Sequence, residues 1–198
     1  MSHNSRPLSS LYSAHGRRKY LNGDERRRFL DVAADLPRRE LATLCLVLTY
    51  TGCRISEALA LTHAAFGVGD GVVTIRCLKK RHGQVVYREV PLPSEVVEVL
   101  RSVHGMDGAG DAGRKLWRLS RSRAWRLVKA VMTTAGIAAG PHATPKGLRH
   151  GFGLHAIRSG VPLNLVQKWL GHASLATTSI YLQAVGAEER EFAARMWT

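Results

Sequence analysis

The chain has 198 residues, and its 29 Lys and Arg outnumber 15 Asp and Glu for a formal net charge of +14. With 45% hydrophobic residues it can fill one substantial core or two small ones, and its basicity points to a polyanionic partner, of which nucleic acid is the commonest. Cys45, Cys53 and Cys77 are an odd, scattered set that excludes a disulfide framework or a zinc site of paired spacing; no apolar run reaches the roughly 18 residues of a membrane span, and the polar start lacks the apolar segment of a signal peptide.

Residues 1–19, rich in Ser, Arg and His, read as a flexible basic arm. Asn22-Gly23-Asp24-Glu25 then carries a helix start, with Asn22 as N-cap and Glu25 three residues on. Phe29, Leu30, Ala33 and Leu36 fall on one face of that helix, which Pro37 ends. A more apolar helix, about 39–50, offers Leu41, Leu44, Cys45 and Leu48 to a core and breaks at Gly52. A short helix carries Arg54 to Leu61.

The period then changes. Gly71 to Leu78 is β-branched and strand-like, and Val85 to Val90 is a second strand stopped by Pro91 and Pro93. Lys79 to Gln84 forms a basic turn between them, and a third short strand is expected near Asp70. Ser94 caps a helix reaching about Val103. His104 to Gly113, with four glycines and two aspartates, is a surface loop. Helices follow at about 122–135, 146–159, 163–170, 173–182 and 187–196, with Pro141, Pro145 and Pro162 at the joints. The expected fold is mainly α with a small antiparallel β-sheet, an α+β class, and no internal repeat.

Three stretches carry chemistry. The first is Thr51-Gly52-Cys53-Arg54-Ile55-Ser56-Glu57, in which Glu57 lies one helical turn from Arg54 and can orient its guanidinium. The second is Thr144-Pro145-Lys146-Gly147-Leu148-Arg149-His150-Gly151-Phe152. The third runs from Leu170-Gly171-His172 to Tyr181, nine residues beyond the histidine. The order Arg54, Arg149, His172, Tyr181 resembles the tyrosine recombinase (phage integrase) family over about residues 20–185.

That resemblance implies a DNA phosphodiester as substrate and Tyr181 as nucleophile, giving a 3′-phosphotyrosyl link and a free 5′-hydroxyl. A pentavalent phosphate gathers negative charge on its nonbridging oxygens, and planar arginine forks match two oxygens at once. Arg54 and Arg149 would bracket it by preorganised electrostatics. His172 would donate to the phosphate as a neutral Nε2–H or as a cation. A tyrosine with an ordinary pKa of about 10 is ionised roughly once in a thousand molecules at pH 7, so the cationic pocket is expected to favour the phenolate.

The leaving 5′-oxygen needs a proton, which the family draws from a lysine on the turn between two strands. Lys79 or Lys80 fits, and Lys79 is preferred because it follows the end of the apolar strand. Lys146 stands where the family usually has histidine; as a point charge it can support the phosphate. His150 and Glu57 are expected to buttress the site. Lys80, Arg81, Arg17, Arg18 and Lys19 are expected on the DNA backbone. The phosphotyrosine link keeps the energy of the broken diester, so no cofactor and no metal are called for, and the sequence shows neither a phosphate-binding glycine loop nor an acidic metal cluster.

The implied organisation is a stand-alone catalytic domain over residues 20–186, without the family's N-terminal helical domain. Residues 187–198, an acidic-start helix with Phe192 and Met196 on one side, would serve protomer exchange. The implied partners are double-stranded DNA, a tetramer on paired recombination sites and accessory DNA-bending proteins, in a cytoplasmic, nucleoid-associated setting and with no membrane. The outcome could be integration, excision, inversion or resolution. Two other readings share these residues: a catalytically silent DNA-binding regulator derived from a recombinase, and a type IB topoisomerase-like relaxase.

Overall fold

Asn22 Oδ1 accepts from the Glu25 N–H at 2.8 Å while the Glu25 carboxylate accepts from the Asn22 N–H at 3.1 Å, a reciprocal cap that starts α1 (Gly23–Ala34). The coordinates are a computed structural model describing residues 11–66, 71–81, 84–106 and 112–184, with backbone only at 79–81, 84 and 183–184. Phe29 and Ala33 of α1 are buried against α2 (Arg39–Thr51), whose Leu41, Leu44, Cys45, Val47 and Leu48 form the centre of the core.

Gly52 ends α2 at φ +59°, and a Cβ there would fall 2.5 Å from Cδ1 of Phe152. Only glycine permits this left-handed turn against an aromatic ring. α3 (Ile55–Ala58) is a single turn, shorter than the sequence suggested, with Arg54 outside it as an extended N-cap residue. A 3₁₀ turn follows at His63–Ala65.

β1 (Val72–Arg81) and β2 (Gln84–Pro91) pair antiparallel from Val72↔Pro91 to Arg81↔Gln84, with a register break between Cys77 and Arg81. Lys79, Lys80 and Arg81 therefore belong to a strand and not to a turn. The apolar pattern stops at Leu78, but ladder hydrogen bonds need no apolar side chains to continue. The expected third strand falls on residues 67–70, outside the described ones; beside it, Phe66 makes a single bridge to Val73.

α4 (Ser94–His104) and α5 (Arg121–Thr134) complete the main core with Val96, Leu100, Ala124, Val128, Val131 and Met132. α6 (Pro145–Arg158) is buried along most of its length and separates that core from a smaller apolar cluster containing Leu11, Phe152, Ile157, Val166, Leu170, Ile180 and Tyr181. Pro145 supplies the first turn, and Thr144 Oγ1 caps it by accepting from the Gly147 N–H at 3.0 Å. α7 (Leu163–Leu170) ends at Gly171, again left-handed at φ +64°. The helix expected over 173–182 is divided: α8 (Leu175–Thr178) is one turn and gives way to a 3₁₀ segment, Ser179–Ala184.

Residues 11–19 are not a loose arm. Leu11 is 3% exposed, Tyr12 bridges Arg18, and the Lys19 N–H donates to the Leu11 carbonyl at 2.7 Å. Residues 1–10 and the expected exchange helix at 187–198 lie outside the described residues. Among the described residues, no helix is long and apolar enough to cross a membrane.

Candidate active site

The left-handed turns at Gly52 and Gly171 bring the end of α2 and the end of α7 to the same flank of α6, and Arg149 joins them. Its guanidinium donates to the Gly52 carbonyl at 2.8 Å and to the Leu170 carbonyl at 2.6 Å. Burial, with the repulsion of Arg54 next in weight, pushes Arg149 down to about 10, which leaves it cationic at neutral pH.

Arg54 is held by Glu57 in two ways. The carboxylate accepts from the Arg54 backbone N–H at 2.9 Å and from its guanidinium at 2.9 Å. Glu57 has no exposed side-chain surface, whereas the Arg54 side chain is 40% exposed. The guanidinium can therefore meet a ligand while its brace stays dry. Glu57 also accepts from Arg88 at 2.7 Å. Burial alone would raise the Glu57 carboxyl, but Arg88, with help from Arg54, outweighs it and holds the group below the ordinary carboxylate range.

His172 follows the C-terminal end of α7 and lies three residues ahead of α8, whereas a helix over 173–182 would have begun directly after it. Its backbone N–H donates to Gln167 at 3.1 Å, and its Nδ1 lies 3.0 Å from Thr178 Oγ1. With Thr178 donating, the ring proton sits on Nε2. Burial first, then Arg149 and Arg54, push the imidazole down to about 3, so it is a neutral donor at physiological pH.

Tyr181 has 0% exposure. Its ring lies parallel to that of His172, 6.3 Å between centroids and 10° between planes. Its hydroxyl is 3.2 Å from His150 Nδ1. A Cβ on Gly153 would lie 2.5 Å from the Tyr181 Cζ, so a residue without a side chain makes the floor of the tyrosine slot. The expected bias toward phenolate is reversed in this state: burial raises the phenol to about 12, outweighing the opposite pull of Arg149 and Arg54. His150, buried beside Lys146 and Arg149, is held at about 4.

Lys146 is exposed in the first turn of α6, near enough for its charge to depress His150, and Lys19 acts in the same direction. Lys79, Lys80 and Arg81 are placed by backbone alone, on β1. Arg17 is exposed, 3.5 Å from the Ala139 carbonyl. Arg18 is committed internally, forming an ion pair with Glu25 and donating to the Tyr20 carbonyl at 2.7 Å. Of the sequence-derived set, Arg54, Glu57, Arg149, His150, His172 and Tyr181 converge.

Sequence reasoning passed over Arg88, Thr178 and Gly153. Arg88 had a visible signal. It falls in phase with Val90 on β2, so alternation turns a charge toward the core. Among the described residues, no group of three or more His, Cys, Asp and Glu could hold a metal ion. Two braced guanidinium groups, a neutral imidazole and a phenol are a set of groups chemically suited to a tetrahedral oxyanion.

The phage integrase family model matches residues 19–187. The tyrosine recombinase XerA of Pyrococcus furiosus is 29% identical over 180 residues, covering 87% of this chain and 60% of that protein. A crystal structure of XerA recombinase shares 28% identity at a TM-score of 0.70, covering 89% of this chain and 64% of that one. The catalytic domain of bacteriophage HP1 integrase, 21% identical, shows the same fold at a TM-score of 0.64 over 83% of this chain and 86% of its own. The chain spans between 46% and 60% of the length of the first curated relatives it matches.

Proposed function

Because the chain belongs to the phage integrase family, we propose that it is a site-specific DNA recombinase that cuts and rejoins double-stranded DNA through Tyr181. The phenol oxygen attacks the scissile phosphorus, the P–O5′ bond breaks, and the 5′-oxygen leaves as a hydroxyl. Arg54 and Arg149 hold the nonbridging oxygens, and His172 donates through Nε2–H. Lys79, with Lys80 as its neighbour, supplies the leaving-group proton. Lys146 adds positive charge at the rim, and His150 and Glu57 position the tyrosine and Arg54. Attack by a 5′-hydroxyl on the phosphotyrosine reverses the sequence and reseals the strand.

The observation that carries this reading is Tyr181 itself. Its hydroxyl lies beside His150 and within the electrostatic reach of both Arg54 and Arg149, residues brought together from the turn before α3, from α6 and from the 3₁₀ segment after α8. Residues 20–186 would form the catalytic unit and 187–198 the segment exchanged between protomers of a tetramer on paired sites. Arg17 and Lys19 remain suited to backbone phosphates, with accessory DNA-bending proteins as further partners. The complete burial of Tyr181 favours one second reading, a silent DNA-binding regulator.

A pool of duplexes nicked beside a randomised stretch separates the two. The fragment released at the nick diffuses away, so a cleaving enzyme is trapped as a covalent adduct. An adduct in the wild-type protein that is absent in Tyr181→Phe supports the recombinase. DNA binding without any adduct leaves the regulator.

A further inference from the structure

Arg88 is an arginine that no catalytic role accounts for, and its side chain is only 3% exposed. All three of its nitrogens are engaged, each on a different element. Nη2 donates to Glu57 at 2.7 Å, Nε to the Trp169 carbonyl at 2.7 Å, and Nη1 to Cys77 Sγ at 3.1 Å. Burial alone would lower its pKa, but the Glu57 carboxylate outweighs that and fixes the positive charge.

Each partner lies one step from a group proposed to meet the phosphate. Glu57 holds Arg54 through its other oxygen. Trp169 precedes Leu170, whose carbonyl accepts from Arg149 at 2.6 Å. The Arg88 guanidinium also packs where a Cβ on Gly171 would come within 3.0 Å, against the turn that delivers His172. Cys77 sits two residues before Lys79 on β1.

A buried ion pair is a weak source of net stability, because desolvation cancels most of its attraction. A lone fork joining α3, α7 and both strands therefore calls for an explanation in geometry. We infer that Arg88 is a positioning residue: it never touches DNA, and it sets the spacing of Arg54, Arg149 and His172 around the scissile phosphate. This rests on the recombinase reading and deepens it. A misplacement of about 1 Å in such a constellation can cost on the order of 100-fold in rate.

Arg88→Lys tests the idea, since lysine keeps the charge but offers one point of donation in place of a planar fork. The measurement is single-turnover adduct formation on the nicked duplex captured with the wild-type protein. It is run twice, once with the normal phosphodiester and once with a methylphosphonate at the scissile position. The methylphosphonate is neutral and depends less on well-placed guanidinium groups.

The expected result is a loss of about 100-fold on the phosphodiester, DNA affinity within a few-fold of wild type, and a clearly smaller loss on the methylphosphonate. Wild-type rates in Arg88→Lys overturn the inference, and so does an equal loss on both substrates, which marks general damage. Should Arg88→Lys not fold, Arg88→Gln, which leaves the Glu57 carboxylate still paired with Arg54, goes through the same two-substrate comparison, and that result decides. Wild-type protein that forms no adduct sinks the recombinase reading and this inference together. A wild-type adduct with an indifferent Arg88 variant sinks this inference alone.

Discussion

Replacing Gly153 by alanine sets two effects of opposite sign against each other. Gly153 lies inside α6, where alanine is favoured over glycine by about 0.5–1 kcal/mol. The added methyl, however, would lie 2.5 Å from Cζ and 2.7 and 2.8 Å from the Cε atoms of Tyr181. Carbon atoms in contact sit about 3.5–4.0 Å apart, so the ring must retreat by roughly 1 Å. It cannot do so freely, because it has 0% exposure. Overpacking of this kind costs about 1–3 kcal/mol.

At the middle of each range the steric cost wins, for a net destabilisation of about 1 kcal/mol and a fall in Tm of roughly 2–4 °C in a chain of this size. Displacement also has a chemical signature. The phenol, now about 12 because it is buried, should titrate closer to 10 as it moves toward solvent. Ultraviolet difference titration reads this once the curve of Tyr181→Phe is subtracted to isolate one of the five tyrosines. An alanine variant as stable as wild type, with an unchanged Tyr181 titration, would refute the seating of the ring on Gly153.

Tyr181→Phe removes a hydroxyl that, among the described residues, pairs with His150 at 3.2 Å, so urea denaturation should register a change of no more than about 1 kcal/mol; a larger loss would mean the hydroxyl is structural. His150 at about 4 and His172 at about 3 are held neutral in the folded protein, while both sit near 6.5 when unfolded. The unfolded chain thus binds more protons at mildly acid pH, and the stability these groups contribute is present above about pH 6.5 and declines as pH falls toward 4. Thermal melts from pH 7.5 to 5 should show a falling Tm, with a shallower slope in His150→Gln; a slope unaffected by that change would contradict the assignment. Glu57→Ala leaves the Arg88 guanidinium without its counter-charge in the interior, a loss of about 3–5 kcal/mol, measurable by urea denaturation and partly recovered by adding Arg88→Met.

What the sequence made legible was local. Asn22 and Glu25 announce a capping box by spacing alone, and the structure closes it. Gly52 and Gly171 announce helix ends, and both adopt the left-handed turn. The strands were read short at Lys79 because apolar patterning reports burial, whereas pairing of β1 with β2 is a backbone matter. The 173–182 stretch holds no proline or glycine to announce a break, yet the structure divides it after Thr178, and Ile180 and Tyr181 are buried in the smaller cluster. At the site, the order of motifs named the polar groups but gave no burial. The sign of the Tyr181 shift was therefore misread from the arginines, since the competing desolvation is a property of the whole fold.

That desolvation bears directly on how the proposed attack could begin. Three influences act on the phenol, and burial is the largest; Arg149 and Arg54 oppose it and lose. A phosphate cannot reach a side chain with no exposed surface, so the proposed attack requires Tyr181, carried on the 3₁₀ segment Ser179–Ala184, to become exposed first. The shift that gives the hydroxyl access to phosphorus also removes the largest influence against ionisation. Both guanidinium groups are anchored elsewhere, Arg149 on the Gly52 and Leu170 carbonyls and Arg54 on Glu57, so their pull need not move with the segment. Exposure and activation of the nucleophile are then one event, with no added base required to reverse the sign. A 3₁₀ turn, with poorer hydrogen-bond geometry than an α-helix, is a segment that can make such a move at small cost.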